Sequence, residues 1–168
     1  VFIAIICFVA YAFRKVSEPL SSWKYGFAVI IALVHDIIIP TGAFALIAHY
    51  RGTELDTLFV VALLTTLALS VSDTIVVFDR IREHLKNGTL KEPFEYVVGR
   101  SLKETFARSV NTSLATLASI VALALIGPES TQLFAIVLGI GVFFGIYSSI
   151  FVATPVLVVM EKLQKKKS

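Results

Sequence analysis

Long apolar runs constrain this 168-residue chain more than any other feature of its sequence. The runs over 25–48 and 57–78 contain 24 and 22 residues, and about 20 helical residues cross the hydrocarbon core of a bilayer. Hydrophobic residues make up 57% of the chain and charged residues only 16%, which is typical of polytopic membrane proteins. The sequence therefore predicts an all-α bundle of membrane helices, because a helix satisfies its own backbone polar groups in lipid.

The apolar runs and the charges between them predict five membrane spans and one further helix in a single transmembrane domain over 1–168. The predicted spans are 1–13, 25–48, 57–78, 110–126 and 131–160. The first is too short to cross a bilayer and is interpreted as the second half of a span, and the last must tilt or extend beyond the bilayer. Apolar side chains also recur at helical spacing before the fourth span, which predicts an interfacial amphipathic helix over 93–108.

The basic residues predict the orientation of the bundle. If the chain ends in the cytoplasm, 14 of its 15 lysines and arginines lie in cytoplasmic segments and only Arg51 lies outside. Cytoplasmic loops of membrane proteins carry such an excess. The lysine-rich end is thereby explained as a topology determinant and a partner of anionic membrane lipid, so we do not expect nucleic-acid binding.

One carboxylate stands inside the third predicted span. The stretch Val71–Glu83 reads VSDTIVVFDRIRE and places Asp73 about six residues, or roughly 9 Å at helical rise, inside the apolar boundary. An ionisable side chain at this depth costs free energy and is by default a functional-site hypothesis. Thr66, Ser70 and Asp73 follow i, i+4, i+7 spacing, so they form a polar stripe that faces protein or water.

Further polar residues are predicted at similar depths in neighbouring helices. Asp36 lies 12 residues beyond Lys24, roughly 18 Å along a helix, and so near the bilayer midplane, with His35 beside it. Arg108 directly precedes the fourth span on its cytoplasmic side, and Thr112 follows one turn later on the same face, at about the membrane depth of Asp73. An ion pair between Asp73 and Arg108 is therefore geometrically reasonable.

These charges allow two interpretations. They can form fixed structural pairs, or they can carry protons, because a carboxylate in a low-dielectric bundle binds a proton readily while a nearby arginine opposes this. His35 can likewise be a hydrogen-bonded support or a relay, and Ser70 and Thr66 are candidates for the same roles.

Other kinds of site find less support in the sequence. No second His or Cys stands at ligand spacing for a metal, and no nucleophile and base are placed together as an enzyme would need. We therefore expect no cofactor and no enzymatic activity.

Small residues recur every four positions in the last span and predict close helix packing: Gly141, Gly145, Ser149 and Ala153.

Over nearly its whole length the chain resembles the SecF family of the bacterial protein-export machinery. Four stretches carry the resemblance, of which the first is the most specific: SDTIVVFDRIRE (Ser72–Glu83), the HD pair at His35 and Asp36, RSVNTS (Arg108–Ser113) and SSIFVATPVL (Ser148–Leu157). The resemblance implies six membrane helices with a large extracytoplasmic domain between the first two. The first helix and that domain would be absent here, and 1–13 would be part of the second helix.

The resemblance also implies roles for individual residues. Asp73 matches the essential membrane aspartate of the family, Arg108 and Thr112 match the arginine and threonine of the following helix, and Asp36 matches the HD motif. Ser72 departs from the asparagine found at this position in many members.

The function implied is that of a subunit driven by the proton-motive force, from the resistance-nodulation-division superfamily. Such a subunit acts with SecD in the bacterial inner membrane to draw exported polypeptides out of the SecYEG channel, gripping the polypeptide through the missing domain. Two alternatives stay open: a scaffold whose buried charges only hold the translocase together, and half of another proton-driven transporter of that superfamily.

Overall fold

The structure of the chain, a computed structural model, describes Tyr11 and residues 22–87 and 92–166. These described residues fold into helices without strands. The helices are α1 (Ser22–Arg51), α2 (Thr57–Asn87), α3 (Phe94–Ile126), α4 (Glu129–Ser148), a π-helical turn (Ser149–Ala153) and α5 (Thr154–Lys165). The predicted all-α membrane bundle is thereby confirmed. The predicted span over 1–13 lies outside the described residues except for Tyr11.

Four helical stretches of the described chain are long and apolar enough to cross a membrane: Trp23–Arg51, Thr57–Lys86, Phe94–Ile126 and Glu129–Lys165. The last of these joins α4, the π-helical turn and α5 in 37 residues. At 1.5 Å per residue this stretch is roughly 55 Å long, so it extends beyond a hydrocarbon core of about 30 Å unless it is tilted.

Helix α3 corrects one prediction from the sequence. The interfacial helix over 93–108 and the span over 110–126 are one continuous helix of 33 residues. Between Arg100 and Ile126 the sequence has neither proline nor glycine, so nothing interrupts the backbone hydrogen bonds. The change from polar to apolar composition therefore marks where the helix enters the apolar part of the bundle, and not a break in it.

The connections between the helices are short and are closed by local hydrogen bonds. Gly52 follows α1 with a φ of 64°, a left-handed conformation that glycine adopts without strain, and its N–H donates to Ala48 O at 2.8 Å. Asp56 then caps α2 by accepting the Phe59 N–H at 2.8 Å.

The widened turn between α4 and α5 comes directly before Pro155. In a regular α-helix this proline would leave the carbonyl of Phe151 without a donor and its ring would clash with that carbonyl. The backbone is instead π-helical over Ser149–Ala153, and at the end of this turn Thr154 Oγ1 donates to Ser149 O at 2.8 Å.

Helix α4 packs against α1, α2 and α3 and lies at the centre of the bundle. Its small residues permit close approach to α2: a Cβ on Gly141 would overlap the Thr66 side chain, and one on Gly145 would lie 3.3 Å from Ser70 Cβ. Ser149 and Ala153, the other members of the predicted packing stripe, are also buried. All four residues therefore face protein within this chain.

The bundle has two separate apolar cores. One contains Tyr25, Phe78 and Leu157, and the other contains Phe44, Ile120 and Val142. Three buried polar residues, Asp36 on α1, Ser70 on α2 and Ser148 on α4, are joined to one another by hydrogen bonds. We call this group and the polar side chains that contact it the polar layer.

Candidate functional site

Asp36 is the centre of the polar layer and has no exposed surface. Its Oδ2 accepts hydrogen bonds from Ser70 on α2 and from Ser148 on α4, the latter at 2.7 Å. Its Oδ1 lies 3.0 Å from His35 Nδ1. One carboxylate thus joins three helices, and each of its oxygens has a polar partner, as a buried charge requires.

His35 lies between this carboxylate and aromatic side chains of α4. Its ring stacks on Tyr147 at a centroid distance of 6.1 Å and meets Phe144 edge-on at 6.5 Å. The side chain keeps 26% of its surface exposed. The imidazole is therefore held by both a hydrogen bond and ring contacts.

Hydroxyl groups extend the polar layer away from Asp36. Thr74 Oγ1 lies 2.9 Å from Ser149 Oγ, and either hydroxyl can donate to the other. The other acceptors are Ser70 O, 3.0 Å from Thr74 Oγ1, and Gly145 O, 3.0 Å from Ser149 Oγ. Ser149 was predicted only to permit packing, but its hydroxyl also contacts Thr74 and so connects the π-helical turn to α2.

The residues of the predicted polar stripe on α2 lie in two different environments in the structure. Thr66 and Ser70 are buried against α4, whereas Asp73 is half-buried. Among the described residues, Thr66 Oγ1 has no hydrogen-bond partner although its side chain is 1% exposed. Thr66 therefore contributes packing against Gly141, and no relay contact from the described ranges involves it.

Asp73 lies on a small polar cavity between α2, α3 and α4. The cavity has a volume of about 80 Å³ and includes Ser70, Thr112 and Thr116 in its wall. Ser113 Oγ donates to Asp73 Oδ2 at 3.2 Å. Since a water molecule occupies about 30 Å³ in the liquid, the cavity has room for water beside the carboxylate.

The structure does not pair Asp73 with Arg108. No ion pair within 4.0 Å joins them among the described residues, and Arg108 instead lines a second cavity of about 350 Å³. That cavity is also bordered by charged groups of α2 and α3: Asp79, Arg80, Glu83 and Glu104. Thr112, one turn beyond Arg108, does reach the Asp73 cavity.

The rotation of α3 explains this correction. Its buried face presents hydroxyls every four residues: Ser101, Thr105, Ser109 and Ser113. Arg108 precedes Ser109 and is rotated by about 100° from that face, so it is exposed. The four-residue spacing of these hydroxyls was the available signal for Ser113, and the prediction overlooked it.

Ser148 was also overlooked, because it belongs to a recognised motif but was given no role. A charged cluster outside the polar layer was not predicted either: Glu104 contacts Arg80 at 2.5 Å and His84 at 3.0 Å. Within the described ranges, no three His, Cys, Asp or Glu side chains gather as metal ligands.

Four membrane-length stretches around a buried polar layer define a polytopic membrane domain with two embedded carboxylates. A family model described as protein export membrane protein SecD/SecF, C-terminal, matches residues 1–163. The chain therefore belongs to the SecD/SecF family, as the resemblance implied.

Relatives agree with this assignment. The chain is 45% identical over 159 residues to the protein translocase subunit SecF of Thermobaculum terrenum, covering 95% of this chain and 49% of that protein. It is 39% identical over 160 residues to SecF of Anaerolinea thermophila, covering 95% of this chain and 51% of that protein. The chain thus spans about half the length of these relatives.

Solved structures show the same arrangement of helices. A crystal structure of SecDF in a super-membrane-facing form superposes with a TM-score of 0.83 at 35% identity, covering 99% of this chain and 21% of that protein. A SecDF structure from Thermus thermophilus gives a TM-score of 0.81 at 36% identity, with 94% and 20% coverage.

Proposed function

We propose that this chain is the proton-coupling membrane part of an accessory subunit of the Sec protein translocase. In this role it acts with SecD, uses the proton-motive force, and moves an extracytoplasmic domain that helps draw polypeptides out of the SecYEG channel. The names of the relatives, which are translocase subunits, support this class of function.

The observation that carries the proposal is the environment of the Asp73 side chain, which has few polar contacts. Its carboxylate is half-buried at membrane depth, borders a cavity, and accepts one hydrogen bond from a neutral hydroxyl, with no ion pair among the described residues. A fixed structural charge needs a permanent partner. Asp73 has room to gain and lose a proton as the helices move.

The energy available from one proton suits this task. Moving one charge through 100 mV provides about 2.3 kcal/mol. A few kcal/mol separate the states of a typical two-state element. One or a few protons per cycle are therefore sufficient to shift the bundle between two arrangements.

Thr112 and Arg108 have different places in this proposal. Thr112 borders the Asp73 cavity, and Arg108 lies one turn away at the neighbouring charged cavity. A small rotation or shift of α3 would bring the long arginine side chain toward Asp73 and favour its ionised form. Arg108 would thus lie beside the Asp73 carboxylate in one conformation and away from it in the other.

The orientation is proposed from the distribution of charge. We place the chain in the bacterial inner membrane with Ser168 in the cytoplasm, where the basic residues contact anionic lipid. A reporter that functions only in the cytoplasm should be active when it is fused at Ser168. Activity of a reporter that functions only outside the cell would reverse the proposed orientation.

The scaffold function is the alternative, and the contacts of Asp36 favour it, because that carboxylate joins three helices. Asp73→Asn in the full-length subunit separates the two functions. Proton coupling predicts that proton-stimulated export is lost while the yield of the translocase complex is unchanged. A scaffold predicts either no effect or a loss of export in proportion to a loss of complex.

A further inference from the structure

Ser70 is the residue that connects the two embedded carboxylates. Its hydroxyl donates to Asp36 Oδ2, and the same residue lines the cavity that contains Asp73. Ser70 and Asp73 are separated by three positions on α2, so they lie on adjacent turns of one face. Ser70 therefore stands between a buried carboxylate and a cavity with room for water, and its hydroxyl can both donate and accept a proton.

Asp36 has no exposed surface, and among the residues that the structure describes, its oxygens contact Ser70, Ser148 and His35. Ser148 does not line the Asp73 cavity, and its second contact is the Gly145 carbonyl. His35 is partly exposed, but it faces the rings of Tyr147 and Phe144. Ser70 is the contact that opens onto a polar cavity.

We propose that Asp36 is a second proton-binding site, connected in series with Asp73 through the Ser70 hydroxyl. This inference rests on the proposed proton-coupling function and adds a second carboxylate and a relay residue to it. The proton then has two stations on different helices, one open to a cavity and one enclosed.

The transfer between the stations conserves protons at Ser70. Asp73 releases its proton to water in the cavity, that water passes a proton to Ser70 Oγ, and the proton already on Ser70 Oγ moves to Asp36 Oδ2. Asp73 ends as a carboxylate, Asp36 as a carboxylic acid, and both Ser70 and the water keep their original number of protons. Reorientation of the serine hydroxyl then prepares the next transfer.

The groups around Asp36 fit a proton-accepting site. From α1 the titratable neighbour is His35, from α2 it is Asp73 one turn beyond Ser70, and α4 contributes Ser148 and, beside His35, Tyr147. The charged groups of α3 nearest to this region, Arg108 and Glu104, border the separate charged cavity. Within the described ranges, Asp36 has an ion-pair contact only with His35.

Ser70→Ala and Ser148→Ala form a matched pair for the test. Each removes one hydroxyl donor from the same oxygen of Asp36, but only Ser70 reaches the Asp73 cavity. In the full-length subunit assembled with its translocase, Ser70→Ala should reduce proton-stimulated export to the level of Asp73→Asn, with unchanged complex yield. Ser148→Ala should retain most of it. Equal effects of the two variants would overturn the relay.

A parallel variant tests the other route to Asp36. His35→Phe keeps an aromatic ring beside Tyr147 and removes the imidazole nitrogen. If this variant loses proton-stimulated export while Ser70→Ala keeps it, the proton reaches Asp36 through His35 and the proposal is wrong.

Infrared spectroscopy gives a readout that does not depend on export. On acidification, the purified full-length subunit should show a carbonyl band from a protonated buried carboxylic acid that is missing in Asp36→Asn. Its appearance should be slowed in Ser70→Ala. Identical difference spectra for the unaltered protein and Asp36→Asn would show that Asp36 binds no proton, even if Asp73→Asn proves that export depends on Asp73.

Discussion

The two embedded carboxylates lie in opposite environments. Asp36 is fully enclosed and joined to α1, α2 and α4 by contacts to both of its oxygens. Asp73 is half-buried, borders a cavity, and has one neutral donor. The same side chain thus serves as a junction of helices at one position and as an accessible group at the other. Accessibility, and not burial alone, distinguishes a site that exchanges protons with water.

Removing each carboxylate in turn is the strongest test of the difference between Asp36 and Asp73. Asp36→Ala loses two hydrogen bonds between helices, from Ser70 and Ser148, together with the contact to His35 in its own helix. One interhelical bond in a membrane protein contributes about 0.6 kcal/mol on average and up to about 1.7, so the two together contribute roughly 1 to 3 kcal/mol. Asp73→Ala loses one bond. Thermal unfolding of the full-length protein in detergent should show a clearly larger decrease for Asp36→Ala, and equal decreases would contradict the comparison.

The packing that encloses Asp36 is tested at Gly141. In Gly141→Val the new side chain would overlap Thr66, and overpacking of this kind costs about 1 to 3 kcal/mol. Gly42→Val is the control, because a Cβ at Gly42 meets no atom of the described residues within 4 Å. We expect the midpoint of thermal unfolding to fall for the first variant and to change little for the second. Similar midpoints would show that α2 and α4 separate easily at this contact.

The smallest effect on stability is expected at Ser113. Ser113→Ala removes the one hydrogen bond to Asp73, which is about 0.6 kcal/mol by the average for membrane proteins. We expect a small change in the unfolding midpoint, with Ser119→Ala as the control, because that hydroxyl bonds only its own helix at Ala115 O. A decrease as large as that of Asp36→Ala would mean that Asp73 is also a structural junction.

Much of this arrangement could be predicted from local sequence. Apolar length predicted the positions of α1 and α2, and helical spacing predicted that Thr66 and Ser70 face protein. Both inferences depend on residues close together in one helix. The resemblance to a known family added a motif that contains Asp36, whose role spacing alone left open.

The remaining features depend on contacts between distant residues. Ser148 is 112 positions from Asp36, and no periodicity in one helix connects them. Whether Arg108 or Ser113 faces Asp73 depends on the rotation of α3 about its axis, which follows from the packing of its buried face against the other helices. The π-helical turn also required tertiary information, because Pro155 alone would permit a kink or a helix end.

Proton flux through the full-length subunit and its partners, reconstituted in vesicles with an imposed membrane potential, tests the central claim most directly. A pH-sensitive dye inside the vesicles would compare the unaltered protein with Asp73→Asn. The control is Asp56→Asn, which also removes a carboxylate but keeps a good capping residue for α2. We predict that Asp73→Asn loses the flux while Asp56→Asn retains it. Full flux in Asp73→Asn would contradict the role of this carboxylate as the proton carrier.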